Sequence, residues 1–360
     1  MSIAIIFGGR SCEHNVSVVT GVQLLNAVRS LEPLPIYIDP HGEWHTGGQL
    51  FDLDAVKRFD KLKKVYPRPG SRGLYNERGR KIADMEAAVL CCHGKNGEDG
   101  TLQGLLELCG VPYSGADVLG SALCMHKAAF KQFVATAGVP TVPYTTFTRG
   151  EFNGKIYDVA DRLNAVGYPF IIKPARLGSS IGVGVARDEA GLVEASRVAF
   201  EFDDCIIAEK LLENFRELNC AALGDEQELI VSEVEEPLGW KEFLSFEDKY
   251  SGNKAYMRRR LPAEIPEEVA AEVKRLTAHV FRTAGLSGVV RVDFMLAADG
   301  SLYLNEVNTL PGSLAAYFFR QMGMNETALV KKLVEIAKRR HESAANLKYS
   351  YSSPAMTGKE

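Results

Sequence analysis

Residues 289–296 (VVRVDFML) and 301–308 (SLYLNEVN) alternate apolar and polar side chains on either side of Ala-Ala-Asp-Gly. This alternation predicts two antiparallel strands, and Asp299-Gly300 is a two-residue turn signal. A turn there places Asp293 opposite Glu306 and Arg291 opposite Asn308. Side chains two apart share a face, so all four groups point the same way. Two carboxylates directly opposed repel, and the pairing is stable only if a cation lies between them. Asp293, Glu306 and Asn308 supply the hard oxygen donors that suit Mg²⁺. The alternative is a solvated face whose charges meet water; the convergence of Arg291, an amide and two carboxylates favours the metal.

The rest of the chain must build a sheet around this hairpin. The 360 residues are enough for two or three full cores. A net charge of −4 argues against nucleic acid or an anionic membrane as the main partner. No run reaches the roughly 18 apolar residues of a membrane span. Seven cysteines without CxxC spacing predict reduced thiols and a cytoplasmic location. Only Cys12, in a polar turn, reads as a possible reactive thiol.

Strands at 3–7, 34–38 and 87–92 alternate with helices at about 16–31 and 101–109, which predicts a parallel, Rossmann-like α/β domain over residues 1–118. A central unit over 119–208 opens with one helix (122–138). Strands at 168–173 and 181–186 flank the loop Lys173–Gly184, a helix follows at 188–201 and a strand at 205–209. The unit 209–345 holds further strands, a helix at 267–285, the acidic hairpin and a final helix at 326–341; residues 346–360 form a tail. The fold class is α/β, becoming α+β in the C-terminal part.

Two serines and three glycines between Lys173 and Gly184 suit a loop whose backbone N–H groups close over phosphate, with Lys173 adding charge. A flexible hairpin tip is the plainer reading of the loop alone. Glu13 and His93 both follow carboxyl ends of parallel strands, where open α/β sheets bind ligands. Glu13 there suits a substrate ammonium with His93 orienting it, although each also reads singly as a helix-start carboxylate and a turn residue. The aromatic and charged loop 240–256 reads as a lid or as a surface loop, with Lys249 and Tyr250 able to reach inward.

Six ordered motifs now add up: GGRSCEHNVS (8–17), HGKNGEDG (93–100), KPARLGSSIGV (173–183), FEDKY (246–250), RVDF (291–294) and NEVNTLPG (305–312). Together they make the chain to about residue 320 resemble the D-alanine–D-alanine ligases of the ATP-grasp superfamily. The resemblance implies an ATP-grasp fold holding ATP and two Mg²⁺ ions, with Mn²⁺ as a substitute, on Asp293, Glu306 and Asn308. It implies Lys127 and Lys173 on the α- and β-phosphates, Ser179 and Ser180 in the phosphate loop, and Lys249 near the γ-phosphate. Glu209 and Glu217 would lie near adenine and ribose, one residue further apart than usual. Glu13 would receive the first substrate's ammonium, with His93 beside it. Ser179 and Tyr250 would hold the lid closed, and Arg291 with the Gly312 N–H would stabilise the oxyanion.

The implied activity is ATP-dependent joining of two D-alanines through D-alanyl phosphate for peptidoglycan precursors, by a cytoplasmic homodimer. Three positions depart from the family pattern. Tyr317 stands where a serine helps bind the second substrate's carboxylate, His126 replaces an Asp, and Asn15 replaces a Glu. The first raises a different acceptor (D-serine, D-lactate or another amine) as an alternative. A nucleotide-binding regulator without turnover is the third reading.

Overall fold

The computed structural model describes residues 2–154, 156–238 and 258–350. Three sheets organise them. The first contains β1 (Ile3–Gly8), β2 (Leu34–Ile38), β3 (Trp44–Thr46), β4 (Lys63–Arg68), β5 (Ser71–Tyr75), β6 (Lys81–Asp84) and β7 (Ala87–Cys91). Its order is β6-β5-β4-β3-β2-β1-β7. Only β1 pairs in parallel, with β2 and β7; from β2 to β6 the pairing is antiparallel. The wholly parallel sheet expected from sequence is therefore a mixed one. Strands buried on both faces, such as β1 and β7, read as continuous apolar runs. The half-exposed β4 (KKVYPR) carries no such signal.

One face of this sheet packs Ile3, Ile5 and Phe7 against Leu24 and Leu25 of the helix His14–Ala27, and against Leu329, Val330, Leu333 and Ile336 of the helix Glu326–Ala345. The other face buries Ala4, Ile6 and Leu90 under Leu102 and Leu106 of the helix Thr101–Leu108. The last long helix therefore completes the core of the first sheet.

The single helix expected over 122–138 is two helices, Val118–Met125 and Lys127–Thr136. His126 between them is extended (φ −91°, ψ 92°), and its Nδ1 accepts the Ala129 N–H at 3.3 Å. An N-capping side chain thus interrupts an apolar periodicity that runs through both helices. The second sheet, β10-β9-β11-β8, is antiparallel and joins β8 (Tyr144–Thr148), β9 (Phe170–Pro174), β10 (Gly184–Ala186) and β11 (Cys205–Lys210).

The third sheet, β14-β13-β12-β15-β16, contains β12 (Arg216–Gly224), β13 (Leu229–Pro237), β14 (Arg259–Arg260), β15 (Gly288–Leu296) and β16 (Leu302–Asn308). It packs on Phe130 and Val134 and on Val273, Leu276 and Val280 of the helix Glu267–Thr283.

The β15–β16 hairpin pairs Arg291 with Asn308 and Asp293 with Glu306, as the sequence implies. The route to that register differs. The Ala297 N–H bonds Ser301 O at 2.9 Å and the Gly300 N–H bonds Ala297 O at 3.0 Å. With Gly300 at φ +87°, the turn holds three residues rather than two. Phe294 accordingly faces Leu304, and Asn305 is the extra residue of a β-bulge that restores the alignment of Asp293 with Glu306. A bulge re-aims side chains, and Asn305 joins its neighbours on the cleft wall.

Candidate active site

A cleft of about 490 Å³ opens among the three sheets. Its lining includes Glu13, His93, Lys127, Lys173, Ser179, Ser180, Glu209, Glu217, Arg291, Asp293, Glu306, Asn308, Gly312 and Tyr317. The described residues to which the sequence assigns substrate, ATP or metal roles therefore face one space, whereas Cys12, Asn15 and His126 are not in its lining; Lys249 and Tyr250 lie outside the described residues. No helix among the described residues is long and apolar enough to cross a membrane.

The amino-terminal end of the cleft is acidic. Glu13 is buried just before the helix His14–Ala27 and accepts a hydrogen bond from the Ser179 hydroxyl. A Cβ on Gly94 would lie 2.5 Å from Glu13 Oε2, and one on Gly178 3.3 Å from both oxygens, so two glycines give its carboxylate room. Ser179 and Ser180 adopt left-handed φ of 54° and 58°, turning the loop back so that Ser179 reaches Glu13. That strain is of order 1 kcal/mol per residue.

Glu98, which sequence reading left within a polar run, also lines this end. Its Oε2 accepts the Gly94 N–H at 2.7 Å and its Oε1 the Leu310 N–H at 3.1 Å. Burial, reinforced by the Glu13 charge, raises its carboxyl to about 8.

His93 is buried with both ring nitrogens engaged. Nδ1 lies 2.9 Å from Leu310 O and Nε2 lies 3.1 Å from the Thr20 hydroxyl. A carbonyl only accepts, so Nδ1 carries the proton and Nε2 accepts from Thr20. Burial lowers the imidazole to about 4, keeping it neutral at pH 7. The ring therefore grips the Leu310 backbone, and both nitrogens are already committed to the protein.

The opposite end is basic. Lys127 Nζ donates to Leu177 O at 2.6 Å and lies 3.5 Å from Glu306 Oε2. Lys173 Nζ donates to Glu209 Oε2 at 2.6 Å and to Asn305 Oδ1 at 3.3 Å. Lys131, not singled out from the sequence, is fully buried with its Nζ 2.8 Å from Glu209 Oε1. Burial of Glu209 favours the neutral acid, but Lys131 and Lys173 outweigh it and hold the carboxyl near 2.

Across the third sheet, Glu235 pairs with Asn219, Asn219 with Asp293, and Asp293 with Glu306. This row crosses four strands on the cleft side. Arg291 chelates Asp293 through Nε at 2.6 Å and Nη2 at 2.7 Å, and Asn308 Nδ2 donates to Asp293 Oδ2 at 3.0 Å. Burial raises the Asp293 carboxyl despite the guanidinium beside it. Two opposed carboxylates and an amide are a hard-oxygen donor set: Arg291 and Asn308 take both lone pairs of Asp293 Oδ2, Asp293 Oδ1 keeps one beyond that used by Arg291, and the Asn308 amide oxygen is an acceptor. These residues fit a divalent cation.

Tyr317 donates its hydroxyl to Glu235 Oε2 at 2.8 Å, under the Arg259 guanidinium 4.0 Å from its ring centre. Ser313 and Gly312 line the wall beside it. Asn15 is exposed to solvent and does not line the cleft, although Glu13 and Val16 on either side of it do.

Asp39, Glu43 and His45 also bring ligand atoms within 4.8 Å of one another. His45 Nε2 is 2.9 Å from Asp39 and Glu43 is paired with Lys64 at 2.6 Å, so these ligand atoms outside the cleft already have protein partners, while His45 Nδ1 is buried without one.

The family models for the N-terminus and C-terminus of D-Ala D-Ala ligase match residues 2–116 and 133–335. The chain belongs to the D-alanine–D-alanine ligase family. It is 35% identical over 348 residues to the D-alanine–D-alanine ligase of Thermosipho melanesiensis, covering 94% of each chain. It is 34% identical over 363 residues to that of Caldicellulosiruptor bescii, covering 97% of this chain and 98% of the relative. The D-alanine–D-alanine ligase of Coxiella burnetii superposes with a TM-score of 0.80 at 25% identity, over 96% of this chain and 97% of that one. The VanG D-Ala:D-Ser ligase of Enterococcus faecalis superposes with a TM-score of 0.78 at 30% identity, over 93% and 99%. The fold is therefore the ATP-grasp fold of this family, and the chain is an ATP-dependent ligase with small-molecule substrates. Membership removes the support for a regulator without turnover.

Proposed function

We propose that this family member joins two D-alanines, using ATP, to supply peptidoglycan precursors in the cytoplasm. The observation that carries the reading is one cleft with a glycine-walled carboxylate at one end, lysines at the other and the Arg291–Asp293–Glu306–Asn308 face between them.

Glu13 takes the ammonium of the first D-alanine and leaves its carboxylate directed toward Arg291. Lys127 and Lys173, with Lys249, neutralise the phosphates under the loop of Ser179 and Ser180; Glu209 and Glu217 lie near adenine and ribose, and Ser179 with Tyr250 closes the site. Asp293, Glu306 and Asn308 would hold two Mg²⁺ ions, or Mn²⁺, which when bound offset charge on the transferring phosphoryl group. A carboxylate oxygen of the first D-alanine attacks the γ-phosphorus and ADP leaves. The amine of the second D-alanine then attacks the acyl phosphate, and Arg291 with the Gly312 N–H stabilises the tetrahedral oxyanion until phosphate departs. A homodimer is part of this reading, and light scattering in solution checks it.

The test is phosphate release from ATP that requires D-alanine and yields the dipeptide by mass; ATP turnover indifferent to D-alanine sinks the reading.

A second reading changes the acceptor to D-serine, D-lactate or another amine. What favours it is the polar wall beside Gly312, where a buried Glu235 is held by Tyr317 and Arg259. An acceptor panel scored by product mass decides: D-Ala-D-Ala as sole product ends this alternative.

A further inference from the structure

Leu310 is gripped on three sides by residues distant in sequence. Its side chain is 2% exposed and packs in the core cluster of the first sheet with Ile6, Leu90 and Leu102. Its N–H donates to Glu98 Oε1 at 3.1 Å, and its carbonyl accepts from His93 Nδ1 at 2.9 Å. Both polar groups of one residue are thus held by the motif HGKNGEDG.

Beyond Leu310 the chain has little freedom. Pro311 fixes its own φ at −65° and leads straight to Gly312. Ser313, Leu314 and Ala315 then adopt left-handed φ of 50°, 51° and 48° in succession. Three such residues cost roughly 1–2 kcal/mol each and persist only where surrounding structure over-determines them. Burial of Leu314 and Ala315 in the cluster shared with the His14–Ala27 and Glu326–Ala345 helices supplies the second anchor. The segment carrying Gly312 is therefore stretched between two cores.

The grip also reaches the first-substrate end. The Ser17 hydroxyl donates to Glu13 O at 3.0 Å, and the His93 N–H donates to Ser17 Oγ at 2.8 Å. A continuous chain of hydrogen bonds thus runs from Glu13 through Ser17 and His93 to Leu310.

We propose that Glu98, together with His93, is a positioning residue that fixes the Leu310 peptide and so aims the Gly312 N–H at the oxyanion of the amide-forming step. The inference rests on the proposed role of Gly312 and adds what holds it. Neither residue contributes a reacting atom. Glu98 supplies two oxygens, one for each backbone donor, and each can accept whether or not the carboxyl carries its proton. An amide in its place can satisfy only one, because its NH₂ group would face the other donor.

The two chemical steps separate this role from a merely structural one. Transfer of the phosphoryl group to the first carboxylate creates no tetrahedral carbon, whereas attack by the amine does. Glu98→Gln should therefore still form acyl phosphate, trapped with hydroxylamine as the hydroxamate, at a rate within about twofold of the unaltered enzyme. Dipeptide formation should fall roughly ten- to a hundredfold, the range for a misaimed catalytic group, with KM for ATP and for the first D-alanine little changed.

Equal loss of both products, or loss of neither, overturns the proposal. If Glu98→Gln does not fold, Glu98→Asp, whose shorter side chain cannot reach both the Gly94 and Leu310 N–H groups, decides by the same pair of assays. An unaltered enzyme that makes neither hydroxamate nor dipeptide from D-alanine would instead count against the proposed function.

Discussion

Glu98 and Glu209 are the same residue type on walls of the same cleft, yet their carboxyls move in opposite directions, to about 8 and to about 2. Burial pushes both upward. At Glu209 the ammonium groups of Lys131 and Lys173, at 2.8 and 2.6 Å, outweigh it. At Glu98 the neighbouring charge is Glu13, which adds to burial, and only two backbone N–H groups oppose it. The contrast shows how the cleft divides its work. One end concentrates negative charge that a substrate ammonium would relieve; the other concentrates positive charge suited to phosphates, with one carboxylate keeping the lysines ordered.

The largest effect should come from breaking the basic end. Lys131→Met leaves Glu209 buried with one counter-charge, and should cost about 3 kcal/mol of stability in denaturant unfolding. Adding Glu209→Gln should recover much of that loss, because removing both members of a buried pair is far cheaper than removing one. A double variant no more stable than Lys131→Met would show that Lys131 matters through packing alone.

At the acidic end, Glu13→Gln should lower kcat/KM for the first D-alanine about a hundredfold, the worth of one charged hydrogen bond. It should also lower the Glu98 carboxyl by removing the charge beside it.

The pH dependence of stability should differ in sign between the ends. Glu98 binds its proton more tightly folded than unfolded, so its contribution is fully present below about 4.5 and is lost as pH rises toward 8. Glu209 does the reverse, stabilising above about 4.5 and losing that stability as pH falls toward 2. Glu98→Gln should therefore flatten the decline between pH 4.5 and 8 by on the order of 2 kcal/mol, allowing for water in the cleft. Melting temperature across that range measures it, and an unchanged slope would contradict the assignment.

The smallest effect belongs to Tyr317→Phe. Losing the bond to Glu235 should cost about 1 kcal/mol of stability, and any shift among acceptors in the product panel would locate the second substrate beside that hydroxyl.

Much of this site is legible in the sequence because it lies on short-range patterns. The hairpin alternation alone pairs Asp293 with Glu306, although a three-residue turn and the bulge at Asn305, neither foreseen, produce that register jointly. Glu13 and His93 are found by following strand ends. Lys131 is not, because a lysine within a helix looks solvated until Glu209 is folded against it. Glu98 is visible only as one charge in a polar run, since its partner Leu310 comes from the far side of the chain. The antiparallel half of the first sheet is missed because its strands are short and partly exposed. The break at His126 is missed because apolar spacing continues through it.

The helix Glu326–Ala345 closes one face of the first sheet with Leu329, Val330, Leu333 and Ile336. A ribosome therefore releases the chain past Ile336 before Ile3, Ile5 and Phe7 gain their final cover. A nascent chain halted at residue 320 would carry a bare aliphatic surface, inviting chaperone capture or self-association.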